Sequence, residues 1–388
     1  MNNKQQTGDR PKGARRADSV EGYQAVLQAL MTTVSSHNQR RSSQRAVTIR
    51  DVAQAAGVSV ATVSMVLNGV GRRIPSTTHQ LVHKTAERLG YSPNLQARSL
   101  RSKRTRSVGV LVFDITDPYC SLMIRGVENS LGEAGYMPVL ADLQNKPQRL
   151  QLCMQMLMER RVEGLIAIAN PVHLGSEVSL ALEAFRIPAV MIGSESSADR
   201  FASVVVDNRA GMQAAVEHLY HLGHREIAVI KGPRAMSDSA PRWDAVRECA
   251  REKGIAIDRS LVVQIQGDNS SYEQGYQLTE QLLERGRRFT ALIAFDDLTA
   301  FAAIGALSRA GRRVPEDCSV VGFDDIPGAA YYNPPLTTVC QHMEEQGACG
   351  AEIMRALLLA RPGKTLPARR ERVQPHLVVR QSTGPAPR

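Results

Sequence analysis

The chain has 388 residues, 43% hydrophobic and 22% charged, enough for two or three domains with a sizeable core. Its charge is unevenly spread: residues 1–107 carry 18 Lys+Arg against 5 Asp+Glu, the remainder 30 against 33, for a net of +10. A basic head on a mildly acidic body is the footprint of a nucleic-acid binder with a separate second domain, and it argues against a protein that merely lies on a membrane surface. No run of 18 apolar residues is present, so no transmembrane helix is expected. The polar N-terminus lacks the apolar stretch of a secretory signal. Six scattered cysteines with no C-x-x-C pair predict free thiols in a reducing cytoplasm, with no disulfide framework, metal site or cofactor.

Residues 1–45, rich in Gln, Ser, Arg and Gly, are expected to form a disordered basic extension. Two short helices around a tight turn are predicted next, over 48–68. Ile49, Val52, Ala53 and Ala56 share one helical face, Thr48 and Asp51 form a capping-box pair, and Gly57 stands where a left-handed C-cap belongs. Ser59 caps the second helix, whose Val63, Val66 and Leu67 face inward. Val60, Ala61, Ser64 and Met65 are left on the outer face of a helix that fits the major groove of DNA. A third helix over about 76–89 is expected to bury Leu81, Val82, Thr85 and Leu89. Residues 93–102 predict a short helix capped by Asn94, with small Ala97 and with Leu100 set among Arg98, Arg101, Lys103 and Arg104. Such a helix is marginal until it meets a partner.

From Val108 the pattern changes to short apolar runs alternating with amphipathic segments. Runs at 108–113, 138–141, 164–169, 188–192, 203–206, 227–230, 291–295 and 319–323 read as buried strands of parallel sheets with crossover helices. This is too much for one sheet, and two doubly wound lobes are expected, with a ligand at the carboxyl ends of the strands. Asp207, Asp296 and Asp324 end strands, and Arg242 follows one; carboxylates and a guanidinium there suit a polyhydroxylated ligand. Neither G-x-G-x-x-G nor G-x-x-x-x-G-K-[ST] occurs, which argues against a dinucleotide or nucleoside triphosphate.

The segments Thr-Ile-Arg-Asp-Val-Ala-(x3)-Gly-Val-Ser-(x2)-Thr-Val-Ser-(x2)-Leu-Asn from Thr48 and Tyr-Ser-Pro-Asn-(x2)-Ala-Arg-Ser-Leu from Tyr91 resemble the lactose-repressor (LacI) family of bacterial transcription regulators. The resemblance implies an α/β protein with an all-α helix-turn-helix headpiece on a two-lobed core like that of the periplasmic binding proteins. The expected division is a basic extension 1–45, a DNA-binding domain 46–93, a hinge helix and linker 94–107, a core 108–380 and a tail 381–388. Lobe 1 would take 108–220 and 341–368, and lobe 2 would take 221–340 and 369–380. In the family, positions matching Val60, Ala61 and Met65 reach base edges; here they are apolar and suit thymine methyls. Ser59, Thr62 and Ser64, with Asn68, suit phosphate oxygens and would fix register, and Thr48 is expected among the DNA-binding residues. The hinge helix, with Asn94, Ala97 and Arg98, would wedge Leu100 into the minor groove.

The resemblance also carries Asp207, Arg242, Asp296 and Asp324 over as effector contacts. One departure concerns the aromatic that many sugar-responsive relatives place after a Gly-Asp pair: Gly267-Asp268 is followed by Asn269, leaving Trp243 or Tyr272 to stack on a ligand. The implied function is a cytoplasmic, non-enzymatic regulator, a repressor that binds a palindromic double-stranded operator as a homodimer and responds to a small polar effector, a carbohydrate. A solute-binding protein of a transport system is the alternative, though it would not need the basic head. If Leu100 is a wedge, Leu100→Ala should weaken operator binding by at most a few kcal/mol and random-sequence binding far less. Gel shifts on both duplexes check this, and equal losses would make Leu100 a folding residue only.

Overall fold

A computed structural model describes residues 47–67, 74–91, 104–168, 180, 187–193, 201–267, 271–360 and 369–388. The chain divides into two compact units, 1–98 and 99–388. The expected basic extension and the hinge residues Asn94, Ala97, Arg98 and Leu100 lie outside the described residues, as does Asn68.

The first unit contains α1 (Ile49–Ala55), α2 (Val60–Leu67) and α3 (Ser76–Arg88). Thr48 starts α1 as read from the sequence: its backbone N–H and its hydroxyl both donate to Asp51 Oδ2, each at 2.7 Å. Gly57 ends it at φ +63, with Val58 N donating back to Ala53 O at 3.0 Å, the closure of a Schellman turn. Val52, Ala53, Ala56, Val63, Val66, Val82 and Ala86 make a small core of their own. One expectation fails here. Leu81 is 48% exposed, and the buried stripe of α3 begins one residue later, at Val82, Thr85 and Ala86. The step from Leu81 to Val82 turns about 100° around a helix, enough to leave the core face.

The second unit has two lobes, each built on a six-stranded sheet. Lobe 1 holds β1 (Ser107–Val112), α4 (Pro118–Glu133), β2 (Met137–Asp142), α5 (Leu150–Glu159), β3 (Leu165–Ile168), β4 (Ala189–Ile192) and β5 (Ala202–Val206). Lobe 2 holds α6 (Asn208–His221), β6 (Ile227–Lys231), α7 (Ser239–Glu252), β7 (Val262–Gln264), α8 (Tyr272–Glu284), β8 (Ala291–Ile293), α9 (Asp297–Arg309), β9 (Ser319–Asp324) and β10 (Thr337–Cys340). The chain then returns through α10 (Met343–Leu359) and β11 (Arg370–Val373) to lobe 1, and ends with β12 (His376–Val378) in lobe 2. The sheet orders are β11-β5-β4-β3-β1-β2, all parallel, and β12-β10-β9-β8-β6-β7, parallel except for β12. Central strands such as β3 and β4 are buried along their whole length, as helices on both faces require.

The lobe boundaries differ from the expected ones in three places. Helix α6 belongs to lobe 2, where Met212, Ala215, Val216 and Leu219 pack with Val229, Ile293 and Phe323. Strand β11 belongs to lobe 1, paired with β5. The expected tail is built into lobe 2: Ser382 is buried and its hydroxyl donates to Val320 O at 2.6 Å, while Ala386 N donates to Leu222 O at 2.8 Å. The chain therefore crosses between lobes three times: after Val206, between Cys340 and Met343, and between Val373 and His376. Arg104, read as part of the basic flank of the hinge, is docked on lobe 1 by Glu163 at 2.9 Å and by the Tyr136 hydroxyl at 2.6 Å.

Helices α4 and α10 cross at glycines. A Cβ on Gly126 would overlap the carbonyl oxygen of Glu344, and one on Gly347 that of Met123. Neither obstacle is a side chain that could swing away. Gly347→Ala should therefore cost about 1–3 kcal/mol through overpacking. Urea unfolding of the purified chain measures it, and an unchanged midpoint would mean that the helices separate freely.

Candidate ligand cleft and nucleic-acid interface

The residues expected to read bases are presented as a set. Val60 is 40% and Met65 43% exposed on α2, and Ala61 lies on the surface beside them. Ser59 and Thr62 are partly committed to the fold: Ser59 Oγ accepts from Thr62 N at 3.0 Å and pairs with the Thr62 hydroxyl at 2.8 Å. Thr48 is committed likewise to Asp51. This surface presents apolar side chains with hydroxyls around them.

In the second unit, the carboxyl ends of both sheets meet around a cavity of about 210 Å³. Asp114, Asp117, Tyr119 and Asn145 line it from lobe 1; Asp238, Arg242, Phe295, Asp296 and Asp324 line it from lobe 2; Gln341 lines it from a crossover. Strand ends place most of these groups. Asp114 follows β1, Asp296 follows β8, Asp324 closes β9 and Gln341 follows β10. Asp117 caps α4 by accepting from Tyr119 N at 2.9 Å, and Asp296 caps α9 by accepting from Thr299 N at 2.8 Å. A carboxylate can cap a helix with one oxygen and face a ligand with the other.

Arg242 is only 5% exposed. Its guanidinium carbon lies 3.8 Å from the centroid of the Phe323 ring and 4.7 Å from that of Phe295. Nε donates to Asn208 Oδ1 at 2.7 Å, Nη1 to Phe295 O at 2.8 Å and Nη2 to Asp238 Oδ2 at 3.4 Å. Arg242 thus lines the cavity and also ties α6, α7 and the end of β8 together. Asp324 is half-buried, at φ +130, and accepts from Gln341 Nε2. Burial, and then the neighbouring Asp297, hold its pKa well above the usual carboxylate range, with Arg242 pulling the other way. Gln341 is fully buried, and its Oε1 has no hydrogen-bond partner among the described residues. A buried acceptor left alone costs about 1–3 kcal/mol, so a donor from a ligand or water is wanted there.

Three of the four expected effector contacts, Arg242, Asp296 and Asp324, come together in the cavity lining. Asp207 does not join them: it caps α6 by accepting from Ala210 N at 3.0 Å. Its neighbour Asn208 holds Arg242 and Asp238 instead. In each Asp pair the second residue is structural. Asp297 accepts from Ile326 N at 2.9 Å, and Asp325 pairs with Arg380 at 2.6 Å. Neither Trp243 nor Tyr272 lines the cavity; its aromatic walls are Tyr119 and Phe295. Asp268 and Asn269 lie outside the described residues. Two lining residues carry a signal in the sequence that points to structure and not to a site: Asp117, followed by Pro118, is a helix-start signature, and Asp114 ends an apolar run. Gln341 carries no such signal.

A three-helix headpiece of helix-turn-helix form on one unit, and a cleft between two α/β lobes on the other, define a DNA-binding regulator with a ligand-binding core. Residues 48–94 match the bacterial regulatory proteins of the lacI family, and residues 216–383 match a periplasmic binding protein-like domain. The chain is 34% identical over 339 residues to the HTH-type transcriptional regulator DegA of Bacillus subtilis, covering 87% of this chain and 98% of DegA. Among solved structures it resembles a lac repressor dimer bound to operator and the anti-inducer ONPF, with TM-score 0.75, 26% identity, and coverage of 88% of this chain and 100% of that one. It also resembles a complex of the transcriptional regulator CelR with cellobiose, with TM-score 0.65, 30% identity and coverage of 87% and 99%. The chain belongs to the lacI family of bacterial DNA-binding transcription regulators. The transport solute-binding alternative falls with that assignment. No helix among the described residues is long and apolar enough to cross a membrane.

Burial, with smaller contributions from Asp296 and Asp114, pushes the Asp117 carboxyl up to about 6. A raised pKa means that the folded chain keeps this proton where the unfolded chain has released it. Its contribution to stability is therefore present below about pH 4 and is lost as pH rises through about 6. Asp117→Asn keeps the N-cap acceptor and removes the titration. Relative to wild type, the variant should gain stability between pH 4 and 7, read as urea midpoints across that range. Parallel pH profiles would show that Asp117 does not titrate there.

Proposed function

We propose that this regulator is a repressor that binds a palindromic operator as a homodimer, and that a neutral carbohydrate in the interlobe cleft alters its affinity for DNA. The cleft is a binding site, not a catalytic one, and the protein works in the bacterial cytoplasm. The observation that carries the ligand class is the lining: Asp114, Asp117, Asp238, Asp296 and Asp324 stand against one cation among the described residues, Arg242, and the excess of carboxylates remains with Asp324 protonated. Part of that cation is already matched by Asp238 at 3.4 Å. Such a lining disfavours anions and offers many acceptors to hydroxyl groups. The CelR complex with cellobiose is a related fold holding a carbohydrate.

Arg242, Asp296 and Asp324 remain the proposed effector contacts, with Asn145, Tyr119 and Gln341 added. For DNA, Val60, Ala61 and Met65 would press on bases, Thr48, Ser59, Thr62, Ser64 and Asn68 would meet phosphates, and Asn94, Ala97, Arg98 and Leu100 would act in the minor groove. A dimer is favoured by the need for two half-sites. It is also favoured by edge strand β2 and neighbouring α5, which leave Met137 67%, Leu140 42%, Leu152 53% and Met156 53% exposed.

Arg242→Ala is a poor probe of the ligand, because it also strips partners from the Phe295 carbonyl and Asp238. Asn145→Ala and Asp296→Asn are better, since the first residue is on the surface and the second variant keeps the cap of α9. Both should cut the response of operator binding to an active sugar at least tenfold, measured by fluorescence anisotropy with and without a panel of neutral and acidic sugars. A full response in both variants would move the effector elsewhere, and a response to acidic sugars alone would overturn the neutral class. Deleting residues 46–103, which spares the Arg104 and Arg106 contacts and β1, should abolish DNA binding and leave a dimeric core in sedimentation.

A further inference from the structure

The second and third crossings between the lobes bring together three side chains that sequence spacing does not connect. Cys340 ends β10, and His376 begins β12 directly opposite it in the antiparallel pairing of the two strands. Opposed residues of an antiparallel pair project on the same face. His342 follows two residues after Cys340, in a left-handed conformation at φ +54 that starts the return to lobe 1. Its Nε2 lies 2.9 Å from His376 Nδ1, and the ligating atoms of all three residues lie within 4.8 Å of one another.

We propose that Cys340, His342 and His376 bind a single transition-metal ion of the zinc class. Two nitrogens and a sulfur are a donor set suited to Zn²⁺, which binds His at about 2.0–2.1 Å and Cys at about 2.3 Å. Two nitrogens on one tetrahedral zinc stand about 3.3 Å apart on those bond lengths, so the observed pair needs to open only slightly. The far nitrogen of His342 is already oriented: Nδ1 lies 3.1 Å from Glu345 Oε1. A carboxylate behind the non-ligating nitrogen of a histidine is the usual outer partner of a metal ligand. On binding, the thiol gives its proton to solvent and both facing imidazole nitrogens turn lone pairs to the ion.

Cys340, His342 and Glu345 line a second cavity of about 370 Å³, which shares Asp324 and Ile326 with the ligand cleft. A fourth coordination position is left for water on that side. The ion would fasten two of the three lobe crossings to each other, whatever occupies the cleft. No C-x-x-C spacing marks this cluster, because one of its members comes from a strand 36 residues further on.

The test uses the full chain, stripped with a chelator and titrated with Co²⁺, then with Zn²⁺ in competition. One Co²⁺ per chain should bind with a near-ultraviolet thiolate charge-transfer band, and Zn²⁺ should bleach it. Cys340→Ser should abolish the band, and His376→Ala should weaken binding at least about 100-fold. Glu345→Gln should weaken it by about 10–100-fold, as outer partners do. Cys349→Ser, a half-buried thiol on α10, should change nothing. Circular dichroism confirms folding; if Cys340→Ser fails to fold, the exposed His376→Ala variant decides. No band in the folded wild type at millimolar Co²⁺, or an undiminished band in Cys340→Ser or in His376→Ala, overturns the site.

Discussion

Five aspartates converge where two parallel sheets point their carboxyl ends at one another, and a single buried guanidinium faces them. Arg242 is held there by two phenylalanine rings, an amide oxygen, a backbone carbonyl and a carboxylate. That arrangement decides much else. It keeps α6 in lobe 2 through Asn208, and it fixes the end of β8, from which Phe295 and Asp296 enter the cleft. Around it, Asp117 and Asp324 are raised in pKa, Asp296 caps α9, Asp238 pairs with Arg242, and Asp114 accepts from Thr116 N and Asn145 Nδ2. A lining of this kind is unfavourable by itself, and hydroxyl donors from a ligand relieve it.

Relief of that kind would give a ligand its hold over DNA binding. A ligand shifts an equilibrium only by its difference in affinity for two states. Contacts to residues of both lobes, Asp114 and Asn145 on one side and Asp296 and Arg242 on the other, would make that difference depend on the distance between lobes. The three crossings are where such a motion must be absorbed. One passes Asp207 as it caps α6, one contains Gln341 and left-handed His342, and one lies between β11 and β12. Lobe 1 answers as a block, since α4 and α10 meet at glycines with their backbones in contact. The linker enters that block beside Glu163, which grips Arg104 by its side chain and Arg106 by its backbone N–H at 2.7 Å.

Local features were legible in the sequence because their causes are local. The Thr48–Asp51 box, the left-handed turn at Gly57, the Ser59 cap and the buried strands each follow from residues a few positions apart. The alternation of apolar runs with amphipathic segments requires parallel sheets covered by helices, and two of them. The charge split between residues 1–107 and the remainder marks the part that meets DNA. From strand ends, Asp296 and Asp324 could be placed in the cleft, because parallel strands present their carboxyl ends together, whereas Arg242 sits inside α7 and came with the family resemblance.

What only the tertiary structure decided depends on contacts between distant parts of the chain. Helix capping looks the same whether the second carboxylate oxygen faces a cavity or not, so Asp207 and Asp117 could be separated only by where the lobes put them. Leu81 and Ala86 are distinguished by which face of α3 meets the other two helices. The last residues carry no hydrophobic pattern, yet Ser382 is buried because its backbone and hydroxyl complete the edge of β9 and β10. Cys340 and His376 become neighbours only through the antiparallel pairing of the final strand. Short-range preference and periodicity thus determined the elements, the lobes and the class of protein. Pairing across long loops chose which of the chemically similar side chains share a site.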